Sequence, residues 1–370
     1  MRRPVAASLA ALFVAGACQR ATPAVSSAAD IKAAFATAAL PADPDDPAVW
    51  RHPSDPSRSL IIGTIKVAAP SGGIVVFGVD GGIRQTISGI DRPNNIDVEY
   101  GVQLGGKTVD IAVATERLKR QLRLFRIDPD AGRLADLGGL PILTGQEGEA
   151  GAPMGIALYR RPADGAVFAI VAPKEGPTAG YLWQYRLLER DGRLAADFVR
   201  RFGVFSATTL RSENEIEAVS VDDALGYVYY SDEADGVHKW HADPDHPGAA
   251  SELAHFARDG FRGDREGIAI YARPDGTGYI VVTDQLPSNS EYHVYAREGA
   301  SGNPHDHSRE LAVLRGGADS TDGLEIFSGG LGPQLPQGAM VAMNSSARNF
   351  LVFRWEDVAA AIAAHKPRNP

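Results

Sequence analysis

The chain has one cysteine, Cys18, among 370 residues. No intramolecular disulfide can form, and a folded domain beyond it has neither a thiolate nucleophile nor a multi-cysteine zinc site. Long amphipathic helical periodicity is nearly absent, and the best helix candidate, Trp355 to Ala364, lies at the end. No basic run of useful length occurs, and the formal net charge is −9, which argues against a nucleic-acid partner. The nine histidines show no metal-ligand spacing; His305 and His307 fall in a polar loop where solvent exposure is expected. The apolar stretch Val5 to Ala15 is too short to span a bilayer comfortably.

That stretch reads instead as an export signal. Met1-Arg2-Arg3 supplies positive charge, and Ala15-Gly16-Ala17 is a small-x-small cleavage signature. Residues 1–17 are therefore expected to be a signal peptide and 18–30, rich in Ala, Ser, Thr and Pro, a flexible tether. Cys18 directly after the cleavage signature fits lipid attachment as in bacterial lipoproteins, while Ala15 three residues before it fits simple secretion equally. Both readings place the mature protein outside the cytosol, in the periplasm, on the outer membrane or secreted.

What is abundant is glycine, at 40, proline, at 24, and short apolar runs. Ile74 to Phe77, Val109 to Val113, Leu122 to Ile127, Val167 to Val171, Tyr227 to Tyr230, Tyr279 to Val282 and Ala339 to Met343 read as strands, separated by turns such as Asp80-Gly81-Gly82 and Asp275-Gly276. A hairpin repeats: a polar residue, an apolar strand, a Gly-containing turn, a second strand and a charged cluster. Its clearest copies begin at Asn95, Glu217, Glu266 and Asp322, with a looser one at Gly155. A period of about 50 to 60 residues over about 330 predicts an all-β, six-bladed β-propeller of four- to five-stranded antiparallel sheets, spanning 31–366. The first blade starts at Asp45, and Ile31 to Leu40 is expected to supply an outer strand that closes the ring. A β-sandwich or two smaller β domains fit less well, because the repeat runs without a linker.

In an antiparallel hairpin the first strand's start and the second strand's end share an edge, so the repeat delivers its polar groups to one rim. These are Asp45, Asp46, Asn94, Asn95, Asp97, Glu175, Glu217, Asp232, Glu233, Asp264, Glu266, Asp284, Asp319 and Asp322, with Lys66, Arg117 and Lys174 as the bases. Individually, many fit turn chemistry: Asp45-Asp46 before Pro47, Asn94-Asn95 after Pro93 and Asp322-Gly323 are ordinary turn pairs, and Asp222-Asp223 reads as a turn. Their coincidence of place across the repeats gives them weight. A dense ring of carboxylates cannot stay ionised without cations, and oxygen ligands in irregular geometry favour calcium.

At these residues the chain resembles the β-propeller phytases, calcium-dependent alkaline phytases of bacteria. The likeness is carried, from about Asp45 to Trp355, by Asp45-Asp46-Pro47-Ala48-Val49-Trp50, Asn94-Asn95-Ile96-Asp97-Val98, Lys174-Glu175-Gly176, Asp264-Arg265-Glu266-Gly267-Ile268, Ser320-Thr321-Asp322-Gly323-Leu324 and Gly330-Leu331-Gly332-Pro333. The resemblance implies a 3-phytase-type phosphomonoester hydrolase acting on phytate, myo-inositol hexakisphosphate, with several catalytic and structural Ca2+ ions. It implies phosphate binding by Lys66, Arg117 and Lys174, a catalytic calcium cluster or its waters held by Glu175, Glu217, Glu233, Asp264, Glu266 and Asp322, and structural calcium near Asp46 and Asn95. Two departures stand out: Met154 where the family has tyrosine, and Gly316-Gly317-Ala318-Asp319 where it has an acidic residue. Calcium number and affinity should shift accordingly.

The expected chemistry is direct attack by a metal-bound water, oriented by Glu175 or Glu217, without a phosphoenzyme. The Arg-His-Gly-x-Arg motif of histidine acid phosphatases is missing, since Arg51-His52-Pro53 is not one. An acidic protein should repel phytate, and bound calcium would invert the local field, so the substrate is expected as its calcium complex on a monomeric protein. Two other readings remain: a calcium-dependent propeller hydrolase of the lactonase type, which has little use for three cations, and a non-catalytic propeller binding module.

Overall fold

In the computed structural model the described residues are 28–206 and 215–365. The proposed signal segment, Cys18 and most of the tether lie outside them. Strands dominate and form six sheets, each running from an inner strand at the axis to an outer strand at the rim. Inner strands are Pro44–Trp50, Pro93–Leu104, Pro153–Arg160, Val219–Asp222, Ile268–Ala272 and Leu324–Ser328. Successive inner strands contact one another around the ring, as expected of a six-bladed β-propeller.

The chain's two ends meet in the last blades. Phe35–Ala36 pairs antiparallel with Asn349–Arg354 as the outer strand of blade six, where the sequence placed the closing strand. Ala29–Asp30 adds a fifth strand to blade five, running parallel to Glu310–Arg315. Ala29 and Asp30, within the stretch read as tether, are thus part of a sheet. The helix is Trp355–Ala364, as predicted; Trp355, Val358 and Ile362 pack into the seam of blades five and six, with Tyr271 stacked on Trp355 at 3.9 Å.

Blade faces hold the ring together. Side chains alternate along a strand, so each blade is apolar on both faces. In blade one, Ala48, Trp50, Leu60 and Ile62 pack against Ile96, Ala112 and Phe125 of blade two. Val49, Ile61, Val75 and Phe77 of the same blade face Val341, Phe350 and Val352 of blade six. Six such clusters fill the six seams. At roughly 25 cal/mol per Å2 of buried apolar surface, this is the dominant stabilising term.

Strands crowd toward the axis, and glycine lets them do so. A Cβ on Gly155 would lie 1.9 Å from the carbonyl oxygen of Glu217, and one on Gly323 would lie 2.3 Å from Asp46 Oδ1. In Asp322-Gly323 the acid is presented at the rim while the glycine admits the neighbouring backbone.

Candidate active site

Lys66, Arg117 and Lys174 occupy one equivalent place. Each is the first residue after the second strand of its blade, beyond Leu60–Ile65, Lys107–Glu116 and Val167–Pro173. Each preceding residue is paired with the start of the inner strand: Ile65 with Pro44, Glu116 with Pro93 and Pro173 with Pro153. The same place on blades four and five is held by Glu233 and Gln285. Blades one to three therefore present cations, and blades four and five an acid and an amide.

The carboxylates come mostly from the other half of the ring. Lys66 Nζ bonds Asp45 Oδ1 at 2.6 Å and Asp322 Oδ2 at 2.7 Å. Lys174 pairs with Glu215, and Arg117 Nη2 with Glu149 Oε2 at 3.0 Å. One oxygen each from Glu215, Glu217 and Glu233 lie within 4.8 Å of one another, and all three residues are buried. Asn94 Nδ2 donates to Asp45 Oδ2 at 3.3 Å and to Glu217 Oε1 at 3.4 Å. Lys174, Arg117 and Lys66 all act electrostatically on the single carboxyl of Glu215. The three bases thus share one electrostatic neighbourhood.

Acids outnumber bases here, and their protonation reflects it. Burial, then Asp45, Glu215 and Asp322 against the opposing pull of Lys66, push Glu217 up to about 8. Asp322 rises to about 7 through burial and Asp45, again against Lys66. Glu233 and Glu266 stand well above the carboxylate range, raised by burial and by each other's cluster. Burial lowers Lys66, but Asp45, Glu217 and Asp322 outweigh it and hold the ammonium well above its usual value.

The donor set fits calcium. Asn94 Oδ1, Asn95 Oδ1, Glu215 Oε2 and Glu233 Oε1 are buried with no hydrogen-bond donor. An unsatisfied buried polar group costs about 1–3 kcal/mol, more when charged. Orphaned oxygens, all from carboxylates and amides and clustered with raised acids, call for a hard cation of flexible coordination.

Deeper in the channel the acids have a second use. A cavity of about 120 Å3 is lined by Asp46, Asn95, Asp97, Glu266 and Glu325 among apolar residues. The inner strands expose an unpaired edge to it, and neighbouring blades cap that edge. Asp46 Oδ2 accepts from Ile96 N at 3.0 Å, Asp97 Oδ2 from Leu158 N at 2.7 Å, and Asp223 Oδ1 from Arg160 N at 2.9 Å. Burial raises Asp97 to about 6, Asp223 to about 7 and Glu99 to about 9. Asp222 is bound bidentately by Arg297 at 2.6 and 2.7 Å in the core.

Other predicted residues fall differently. Glu175 is exposed beyond Lys174 and makes no hydrogen bond or ion pair among the described residues; Glu215 is the carboxylate that meets Lys174. Asp264 is half-buried, accepts from Gln285 N at its carbonyl at 2.9 Å, and adds its charge to the field on Glu233. Asp232 accepts from Ser206 N at 2.6 Å, and Asp284 from Gly263 N at 2.7 Å. These two staple loops behind the rim, and Asp319 likewise accepts from Ser288 N. Met154 is buried, and its carbonyl accepts from Thr115 Oγ1 at 2.7 Å. His307 is not solvent-exposed: it is buried, with Nε2 3.1 Å from Lys239 Nζ. Missed altogether were Glu215, two residues before Glu217 on the same alternation, Glu149, and Gln285, whose amide donates to Asp322.

Comparison with known proteins gives a consistent placement. The chain is 29% identical over 343 residues to a 3-phytase of Bacillus subtilis (strain 168), covering 88% of this chain and 84% of that protein. Among solved structures, the periplasmic gluconolactonase PpgL of Pseudomonas aeruginosa superposes with a TM-score of 0.46 at 16% identity, over 70% of this chain and 68% of that one. BBS1N in complex with ARL6DN superposes at 0.44 and 11%, over 89% and 97%. At these values neither structure bears on function. The family profile described as Phytase matches residues 3–367, nearly the whole chain, and with the bases and acids at its channel mouth the protein belongs to the Phytase family.

Proposed function

We propose that this protein hydrolyses phosphate monoesters of phytate with calcium held by its carboxylate crown, the 3-phytase activity named for its Bacillus relative. The observation that carries this reading is the placement of Lys66, Arg117 and Lys174 at one equivalent position on three consecutive blades, all acting on Glu215. A phosphate dianion has three peripheral oxygens, and three cations on one arc can hold them, the arginine in bidentate fashion. A lactone offers no comparable charge for that arc.

Bound calcium would neutralise the crown and lower the pKa of a water nearby. Glu215 would be among the residues that hold the ion, and Lys174 Nζ, now paired with Glu215, would then be available to the phosphoryl group. Arg117, whose partner Glu149 is exposed, exchanges that ion pair for substrate at little cost. Glu217 Oε1 is fixed by Asn94, which leaves Oε2 to orient a water and take its proton. The water oxygen then bonds phosphorus, the bond from phosphorus to the inositol oxygen breaks, and that oxygen takes a proton from bulk water as it leaves, while Glu217 returns its own to solvent. Donors aimed at developing charge of this kind are each worth about 100- to 1,000-fold in rate. The export signal read in the sequence supports work outside the cytosol, anchored through Cys18 or released.

The test is phosphate release from phytate by the full chain, with calcium and after chelation. Release with calcium is expected, and Lys174→Ala should lower it by about 100-fold or more while leaving thermal stability nearly unchanged. No release from phytate in calcium, or a Lys174→Ala rate equal to wild type, would remove the reading.

A further inference from the structure

Blades four and five carry the same arrangement around a buried histidine. In blade four His238 Nδ1 meets Glu252, and Asp232 ends the preceding strand. In blade five His293 Nδ1 meets Glu310 Oε2 at 2.6 Å, and Asp284 ends the preceding strand. A carboxylate needs a donor, so Nδ1 carries a proton in this pairing; in blade five, against burial, Asp284 and Glu310 also favour a proton on His293 Nε2, which an ion there would displace. The blades differ at one register position. Asp232 is paired with Gly236, whereas Asp284 is paired with Glu291.

That exchange completes a three-ligand group. One ligand atom each from Asp284, Glu291 and His293 lie within 4.8 Å of one another, and all three side chains are buried. His293 is 2% exposed, and its Nε2 is buried with no hydrogen-bond partner. Nε2 lies 3.9 Å from Asp284 Oδ2, too long for a hydrogen bond. An ion about 2 Å from each ligand spans such a separation. Phe261 stacks on the imidazole at 3.9 Å and walls one side. Asp284 also accepts from Arg262 N and Gly263 N, and Glu291 Oε1 accepts from Arg262 Nη2 at 2.9 Å and Arg315 Nε at 2.8 Å. These contacts fix both carboxylates while each retains unused lone pairs.

We infer that Asp284, Glu291 and His293 form a binding site for a borderline divalent ion of the zinc class, separate from the all-oxygen crown. An imidazole with two carboxylates suits zinc, cobalt or manganese better than calcium. The Glu310–His293 bond is the outer-shell carboxylate that orients a metal-binding histidine and strengthens its lone pair. Three protein ligands leave a position for water. The site sits behind the loop that carries Asp264, since Asp284 holds the two backbone N–H groups just before it. An ion there would brace that loop without entering the channel.

The experiment titrates Co2+, and separately Zn2+, into calcium-saturated full-length protein, reading stoichiometry by calorimetry and cobalt by its visible d–d absorption. One equivalent with an imidazole-type cobalt spectrum is expected. Glu291→Gln, which keeps size and hydrogen bonding, should weaken binding at least tenfold, and Glu310→Gln by about 10- to 100-fold. His293→Ala should abolish the cobalt band, and His238→Ala in blade four should leave it intact; if His293→Ala does not fold, Glu291→Gln decides. No cobalt or zinc uptake beyond the calcium-saturated state, or uptake that Glu291→Gln leaves unchanged, overturns the inference.

Discussion

Carboxylates at the outer turns and at the channel mouth share one chemistry and shift in opposite directions. Asp55, Asp275 and Asp306 sit in exposed turns, and each accepts a hydroxyl and a backbone N–H from the Ser or Thr two residues on. Those bonds hold their carboxyls below the usual range. Glu217, Glu233, Glu266 and Asp322 are raised by burial and by one another. Turn acids are satisfied by the chain itself and serve the fold. Mouth acids are left in conflict by the fold, and a bound cation would resolve that conflict. A candidate metal site is recognisable here as the place where the protein's own hydrogen bonds do not suffice.

The largest expected departure from this contrast comes from Glu217→Gln. Removing the charge should lower phytate turnover by roughly 100-fold or more. The same change should raise the Tm of the chelated protein near neutral pH by about 2 °C, because folding no longer has to protonate this buried carboxyl. Calcium should then raise Tm less than in wild type. A chelated variant less stable than chelated wild type would show that the mouth acids are not in conflict.

A middle-sized effect is expected with pH. In the metal-free protein Glu217 titrates at about 8 and Asp322 at about 7, against ordinary values of 4.5 and 3.8. Between those limits the unfolded chain binds fewer protons than the folded one, so stability falls as pH rises. Tm of the chelated protein should decline by several degrees from about pH 5 to about pH 8, and saturating calcium should flatten that slope. A metal-free Tm that climbs across the window would reverse the assignment.

The smallest effect belongs to the turns. Asp275→Asn keeps an acceptor for Thr277, so activity and the calcium response should match wild type within about twofold. A loss of calcium response there would erase the distinction between the two sets of acids.

The contrast also shows what sequence patterning can reach. Alternation and spacing marked the six blades, the closing strand near Phe35 and the helix at Trp355, because each follows from which residues must be buried. The hairpin repeat likewise put Lys66, Arg117 and Lys174 at strand ends, and the ring brings them together. Position at a strand end does not say which way a side chain turns. Glu175 follows Lys174 yet is exposed, while Glu215, outside the repeated motif, is the acid that meets it. Asp284 ends its strand as Lys66 nearly does, yet turns to the backbone of Gly263. The histidines offered no local spacing because His293 finds Asp284 and Glu310 on the two neighbouring strands, and only Glu291 on its own.

The central claim is that calcium turns a repulsive, acid-rich mouth into one that attracts a polyphosphate. Calorimetric titration of phytate into chelator-treated protein, and into the same protein with calcium restored, tests it most directly. The account predicts no measurable binding in the first case and clear saturable binding in the second. Tight phytate binding by the metal-free protein would contradict it.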